Sequence, residues 1–92
     1  MNPPMLKPAA LGISGDPDEF GGLRLTDVTA GSAAAKAGLQ KNDVILKVGQ
    51  YEIHTADDVV RAVRAYASGT EIVIEYRYLG TAGTYRTKLV AP

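Results

Sequence analysis

Gly12-Ile13-Ser14-Gly15 has the outline of a nucleophile elbow, the sharp strand-to-helix turn that presents a serine hydroxyl for covalent chemistry. That pattern requires glycine where Asp16 stands, and a triad on Ser14 would have to recruit His54, the one histidine of the chain. Gly31-Ser32-Ala33-Ala34-Ala35-Lys36 sets a glycine before a lysine, but it lacks the second glycine and the Lys-Ser/Thr ending with which a phosphate loop cradles a nucleotide. Asp57-Asp58 follows Thr55 at the start of an apolar-periodic stretch, where carboxylates cap a helix rather than move protons. With no cysteine and a single histidine, no first-row metal cluster is available. The spacing of these residues therefore predicts no catalytic group, no metal ligand and no cofactor.

A second set, Tyr76, Arg77, Tyr78, Tyr85, Arg86 and Lys88, interleaves aromatics with bases, the ingredients of a stacking platform for single-stranded nucleic acid. Strand alternation separates them: Tyr76, Tyr78 and Tyr85 fall on the face of Ile74 and Leu89, and Arg77, Arg86 and Lys88 on the other. The chain as a whole has ten basic and ten acidic residues and no net charge, so it lacks the positive surplus that phosphate binding needs. A protein or peptide partner is expected instead, with no nucleic acid. Nowhere do about 18 apolar residues follow one another, so no membrane insertion is expected. The lack of cysteine excludes disulfides and leaves the compartment open.

Ninety-two residues is one domain's worth of chain. Residues 1–8, with three prolines, read as a lead-in or linker, and residues 9–91 as the folded unit. Leu11-Gly12-Ile13-Ser14 is extended, and Gly15 to Gly22 is a turn-rich acidic loop in which Asp16-Pro17 is expected to end strand pairing. Gly22 to Thr29 reads as a strand burying Leu23 and Leu25. Gly31-Ser32 caps a short helix ending near Ala37, and Gly38 supplies the left-handed residue that stops it. Val44 to Val48 is the next strand, followed by a tight turn at Gly49-Gln50 and Tyr51-Glu52-Ile53.

Thr55 and Asp58 have capping-box spacing for a helix expected to run to about Ala67. On it, Val59, Ala62 and Tyr66 share one side, and Ala56, Val60 and Val63 lie about a quarter turn away; the second face is either more core or one wall of a groove. Ile72, Ile74, Tyr76 and Tyr78 alternate as a half-buried strand, which Gly80 to Gly83 turns into a partner from Thr84 to Val90.

Gly31-Ser32-Ala33-Ala34-Ala35-Lys36-Ala37-Gly38-Leu39, followed by Gln40-Lys41-Asn42-Asp43-Val44-Ile45, resembles the PDZ domains of bacterial proteases. Their pattern runs Gly-Ser-Pro-Ala-x-x-Ala-Gly-Leu and then x-x-Gly-Asp-x-Ile. The resemblance spans about Lys7 to Val90. It implies the circularly permuted, HtrA-like arrangement: an α+β, mainly β fold, a partly open barrel of five or six strands with one short and one long helix.

The resemblance also implies a site. In such domains an apolar-Gly-apolar loop turns backbone N–H groups toward a ligand's terminal carboxylate, and the following strand pairs with the ligand. Ala10-Leu11-Gly12-Ile13 takes that place, with Ser14 next on the strand. Leu11 and Ile13 would wall the pocket for the last ligand side chain, Val60 and Val63 its opposite side, and Ala56 would lie over the residue two back. Ala56 stands where many animal relatives carry a histidine that selects Ser or Thr, which implies an undemanding choice there. His54 reads as a loop residue.

The expected partners are peptide or protein C-termini with an apolar last residue, and a covalently attached protease domain. The family setting points to the cell envelope or periplasm, although no signal segment is visible in the chain. Two buried ligand side chains contribute about 1.5–3 kcal/mol each, and net backbone hydrogen bonds about 0.5–1.5 kcal/mol each. Association costs at least about 4 kcal/mol, so micromolar affinity, about −8 kcal/mol, is the upper expectation. The competing function is a structural assembly module whose groove is permanently filled. Separately, the plain reading of Leu11, Ile13, Val60 and Val63 is that they are simply core, as apolar residues on strand and helix usually are.

Overall fold

The structure is a computed structural model and describes residues 11–78 and 83–92. The expected lead-in, Ala10, and the turn residues Gly80 to Ala82 lie outside the described residues. The chain order is β1 (Ile13–Pro17), β2 (Leu23–Val28), α1 (Ala33–Lys36), β3 (Val44–Val48), β4 (Tyr51–Glu52), α2 (Ala56–Arg64), β5 (Glu71–Arg77) and β6 (Tyr85–Val90). The strands form an open antiparallel sheet in the order β1-β2-β3-β5-β6, with β4 added to β3. This is the mainly β, partly open architecture that the sequence implied, with one short and one longer helix among the elements of the described residues. Among the described residues no helix is long and apolar enough to cross a membrane.

The period-2 pattern does what it predicted. Ile72, Ile74 and Tyr76 of β5 are buried between exposed or half-exposed neighbours, and in β2 Leu23 and Leu25 are fully buried. These side chains meet Ile45, Val48 and Ile53 in one core, each contributing about 1.5–3 kcal/mol of burial.

The helix caps also match their residue types. Ser32 Oγ accepts the Ala35 N–H at 3.2 Å, and Gly38 takes φ 88° to end α1. At α2, Thr55 Oγ1 accepts the Asp58 N–H at 3.1 Å while Asp58 Oδ2 accepts the Thr55 N–H at 3.1 Å, a complete capping box. Asn42 occupies the left-handed region at φ 77°, which explains why the family pattern places glycine there.

Three expectations are corrected. The segment expected to be extended from Leu11 is not so at its start: Leu11 is helical and Gly12 takes φ 80°, so the extended backbone begins at Ile13. The helix α2 stops at Arg64 rather than near Ala67: Ala65 and Tyr66 donate to Ala62 and Val63 in tighter three-residue turns. Beyond them, the Gly69 N–H bonds Ala91 O at 2.8 Å and turns the chain toward β5. In addition, β1 does not give way to a loop after Ser14: pairing runs on through Gly15↔Leu25, Asp16↔Arg24 and Pro17↔Leu23, and it ends at Pro17 as the Asp16-Pro17 pair led one to expect. A register shift at Ser14/Gly15 opposes Gly15 to Leu25, and a Cβ at Gly15 would lie 2.7 Å from Arg24 O. Glycine lets the two strands close at this irregularity and the pairing resume beyond it.

Candidate functional site

β1 is the terminal strand of the sheet order, so only one of its sides is paired by the described strands. Which backbone groups face the open side follows from the antiparallel alternation. Thr29 N–H bonds Gly12 O at 2.7 Å and Asp18 N–H bonds Gly22 O at 2.8 Å, which fixes both ends of the ladder. Leu25 gives its N–H to Asp43 O and accepts from Asn42, so it turns away from its partner Gly15. Ile13, Gly15 and Pro17 therefore direct their backbone groups to the open side. Ile13 and Gly15 each offer a donor and an acceptor, whereas Pro17 has only its carbonyl.

Gly12 sits at the head of this edge with φ 80°, directly after the helical Leu11. A right-handed residue followed by a left-handed one is the backbone succession that forms an anion nest. Its lack of a side chain is required twice, because a Cβ would also run into Cβ and Oγ of Ser32, the cap of α1. The loop glycine and the Gly-Ser-Ala motif are thus parts of one contact.

Opposite the edge lies α2. Leu11, Ile13, Val60 and Val63 belong to one apolar cluster, with Ala56 partly buried against it, so the structure brings together five of the expected site residues. They are closely covered: Leu11 is 1%, Val63 2%, Ile13 4% and Val60 7% exposed. Ser14 is exposed, and strand alternation puts it on the face opposite Ile13. His54 is exposed; its backbone N–H, not its ring, is engaged, donating to Asp58 Oδ2 at 2.9 Å.

That bond, with the second one from Thr55, holds the Asp58 carboxyl below the usual carboxylate range. Asp43 is shifted the other way: burial raises its carboxyl, and the bond accepted from the Gln40 N–H at 2.9 Å offsets only part of this. Both carboxylates hold local backbone, consistent with positions chosen for capping and turn formation. Among the described residues no cluster of three or more His, Asp or Glu is placed to hold a metal ion.

The far end of β1 holds what sequence reasoning missed. Asp18, which the sequence places in a turn-rich acidic loop, receives Arg77 Nη2 of β5 at 3.3 Å, and its side chain is only 15% exposed. No local pattern signals a pair 59 residues apart. The tyrosines form a cluster, with Tyr78 and Tyr85 centroids 4.4 Å apart and the Tyr76 hydroxyl donating to Tyr78 at 3.3 Å. This bond and burial push the Tyr76 phenol up to about 12. Arg86 reaches Glu75 at 3.9 Å. A cavity of about 430 Å³ lies between α1 and β6, lined by Ala33, Lys36, Ala37, Lys88 and Val90 among others, and none of the expected site residues lines it.

Residues 24–77, more than half of the chain, match the PDZ domain family model. The chain belongs to the PDZ family. As a PDZ module it is a non-catalytic domain, and the matched span covers most of β2, β3, β4, both helices and β5 while leaving β1 and β6 outside. Among curated proteins it is similar to serine protease PepD of Mycobacterium tuberculosis, 38% identical over 71 residues, and to serine protease HTR4 of Rattus norvegicus, 38% identical over 58 residues. Those matches cover 75% and 63% of this chain but only 15% and 12% of the relatives, so the PDZ chain spans a small part of their length.

Among solved structures, the PDZ domain of HtrA3 bound to a phage-derived ligand, FGRWV, superposes with TM-score 0.70 at 17% identity, over 87% of this chain and 81% of that one. A photosystem II D1 C-terminal processing protease gives TM-score 0.67 at 20% identity, over 88% of this chain and 22% of its own. These likenesses establish the PDZ fold.

Proposed function

We propose that this PDZ domain captures extended peptide ends by strand addition to β1 and serves as the substrate-recognition or regulatory module of a larger protease. The observation that carries the reading is the open edge of β1, with unpaired-side donors and acceptors at Ile13 and Gly15, lying beside α2. The last ligand residue pairs with Ile13, its carboxylate sits at the Leu11-Gly12-Ile13 nest, and its apolar side chain enters between Leu11, Ile13, Val60 and Val63. The residue two back pairs fully with Gly15 under Ala56, Ser14 flanks the strand, and the residue four back finds only the Pro17 carbonyl. PepD and HTR4, both serine proteases, support attachment to a catalytic domain of that class. The peptide on the HtrA3 domain supports the ligand class.

A second reading, an assembly module with a filled groove, is favoured by one observation: the four apolar lining residues are already covered. Titration with Phe-Gly-Arg-Trp-Val, as free acid and as amide, separates the two. Binding lost on amidation supports carboxylate capture. Absence of binding of either form at millimolar concentration favours the assembly module.

A further inference from the structure

The turn between β1 and β2 holds a phenylalanine out in water. Phe20 is 80% exposed, and its position is secured from several sides. Asp18 Oδ2 accepts the Phe20 N–H at 3.1 Å, Asp18 N–H bonds Gly22 O at 2.8 Å, and Gly21 N–H bonds Asp18 O at 3.1 Å. Arg77 ties the same carboxylate to β5. Gly21 and Gly22 have φ 98° and 88°, and a Cβ at Gly22 would lie 2.7 Å from Ile45 O, so the turn is wedged against β3. The ordering cost of this turn is met within the fold, which leaves Phe20 pre-organised for contact.

Its place along the edge is equally specific. The donors of β1 run out at Pro17, three residues before Phe20. A strand advances about 3.4 Å per residue, so a ligand whose fourth residue back meets Pro17 carries its next two residues past Asp18 and Glu19, within reach of the ring. Of the acids here, Asp18 is engaged by Arg77, while Asp16 and Glu19 are exposed and, as solvated surface charges, contribute little to a contact made by the ring.

Resting on the peptide-binding reading above, we infer that Phe20 is an upstream subsite for an aliphatic or aromatic side chain five or six positions before the ligand's last residue. It takes over where the backbone ladder fails.

The test uses three free-acid peptides titrated into the intact chain: Gly-Arg-Trp-Val, Leu-Leu-Gly-Gly-Arg-Trp-Val and Ser-Ser-Gly-Gly-Arg-Trp-Val. The leucine heptapeptide is expected to bind about 3- to 10-fold more tightly than the other two, as partial burial of one or two leucines requires. Phe20→Ser, at an exposed position, is expected to erase that gain, with the thermal unfolding midpoint confirming an intact fold. Arg77→Ala, which releases the turn, is expected to reduce it. Failure of the tetrapeptide and both heptapeptides to bind would sink the peptide reading and this subsite with it. Binding of all three with equal affinity, or a leucine gain that survives Phe20→Ser, would overturn the subsite and leave the peptide reading standing.

Discussion

The sheet has two edges, and they are treated in opposite ways. β6 carries Arg86 and Lys88, whose charged side chains discourage a second strand, and Thr87 Oγ1 donates to Ala37 O at 2.5 Å, fastening the strand to α1. β1 carries uncharged Ser14 and Gly15 in its first half, buries Ile13 against α2, and keeps the usual edge guards, a charge at Asp16 and a missing donor at Pro17, for its last two positions. An exposed edge is a template for pairing with another chain. Among the described residues one template is guarded and the other has an unpaired side beside a helix, which is the asymmetry that the proposed strand addition needs. Open volume and backbone availability do not coincide: the cavity of about 430 Å³ lies beside β6, whereas the unpaired side of β1 is lined by covered side chains.

The contrast breaks most severely at Gly15. Gly15→Val sets a Cβ 2.7 Å from Arg24 O and about as close to Leu23, so urea denaturation is expected to show a loss of about 2–3 kcal/mol and peptide titration a loss of binding. At the guarded edge, Thr87→Val removes the bond to Ala37 and leaves that carbonyl short of a partner, at a cost of about 1 kcal/mol by the same measurement. Asp58→Ala removes the capping box beside the groove, for about 1 kcal/mol near pH 7.

The pH dependence of that last variant has a definite sign. The folded carboxyl of Asp58 lies below its unfolded value of 3.8, so its stabilisation is full above that value and is lost as pH falls through the folded one. Wild type and Asp58→Ala should therefore converge on acidification below about pH 4. Asp43 acts oppositely, because its raised carboxyl costs stability as pH rises from its unfolded value of 3.8 through the folded one. The smallest effect on stability belongs to the paired change Arg86→Thr with Lys88→Thr, expected within about 0.5 kcal/mol. It should nevertheless raise self-association seen by light scattering at high concentration, since it makes β6 more like β1.

Much of this was readable along the chain. The alternation in β2 and β5, the Ser32 and Thr55 caps and the stop at Gly38 depend on residues within a turn or two of one another. So did the grouping of Val60 and Val63 with Leu11 and Ile13, once the pattern around Gly31-Ser32 had supplied the arrangement. The extension of β1 through Pro17 was not readable. Gly15 and Asp16 read as turn residues, and Pro17 can close the strand as its last paired residue because the missing N–H points to the open side, a fact of register. The role of Asp18 was hidden for a similar reason: its partner Arg77 comes from another strand.

The order of strands and helices, the caps at Ser32 and Thr55 and the family pattern lay in the chain itself, because they rest on contacts between near neighbours and on backbone preferences that each residue carries with it. Only the assembled fold sets which side of β1 the described strands leave unpaired, how deeply the expected site is covered, that Gly12 must yield to Ser32 and Gly15 to Arg24, and that Asp18 anchors a turn instead of facing solvent. Those outcomes depend on register and on pairs distant in sequence, which exist only once the sheet has assembled.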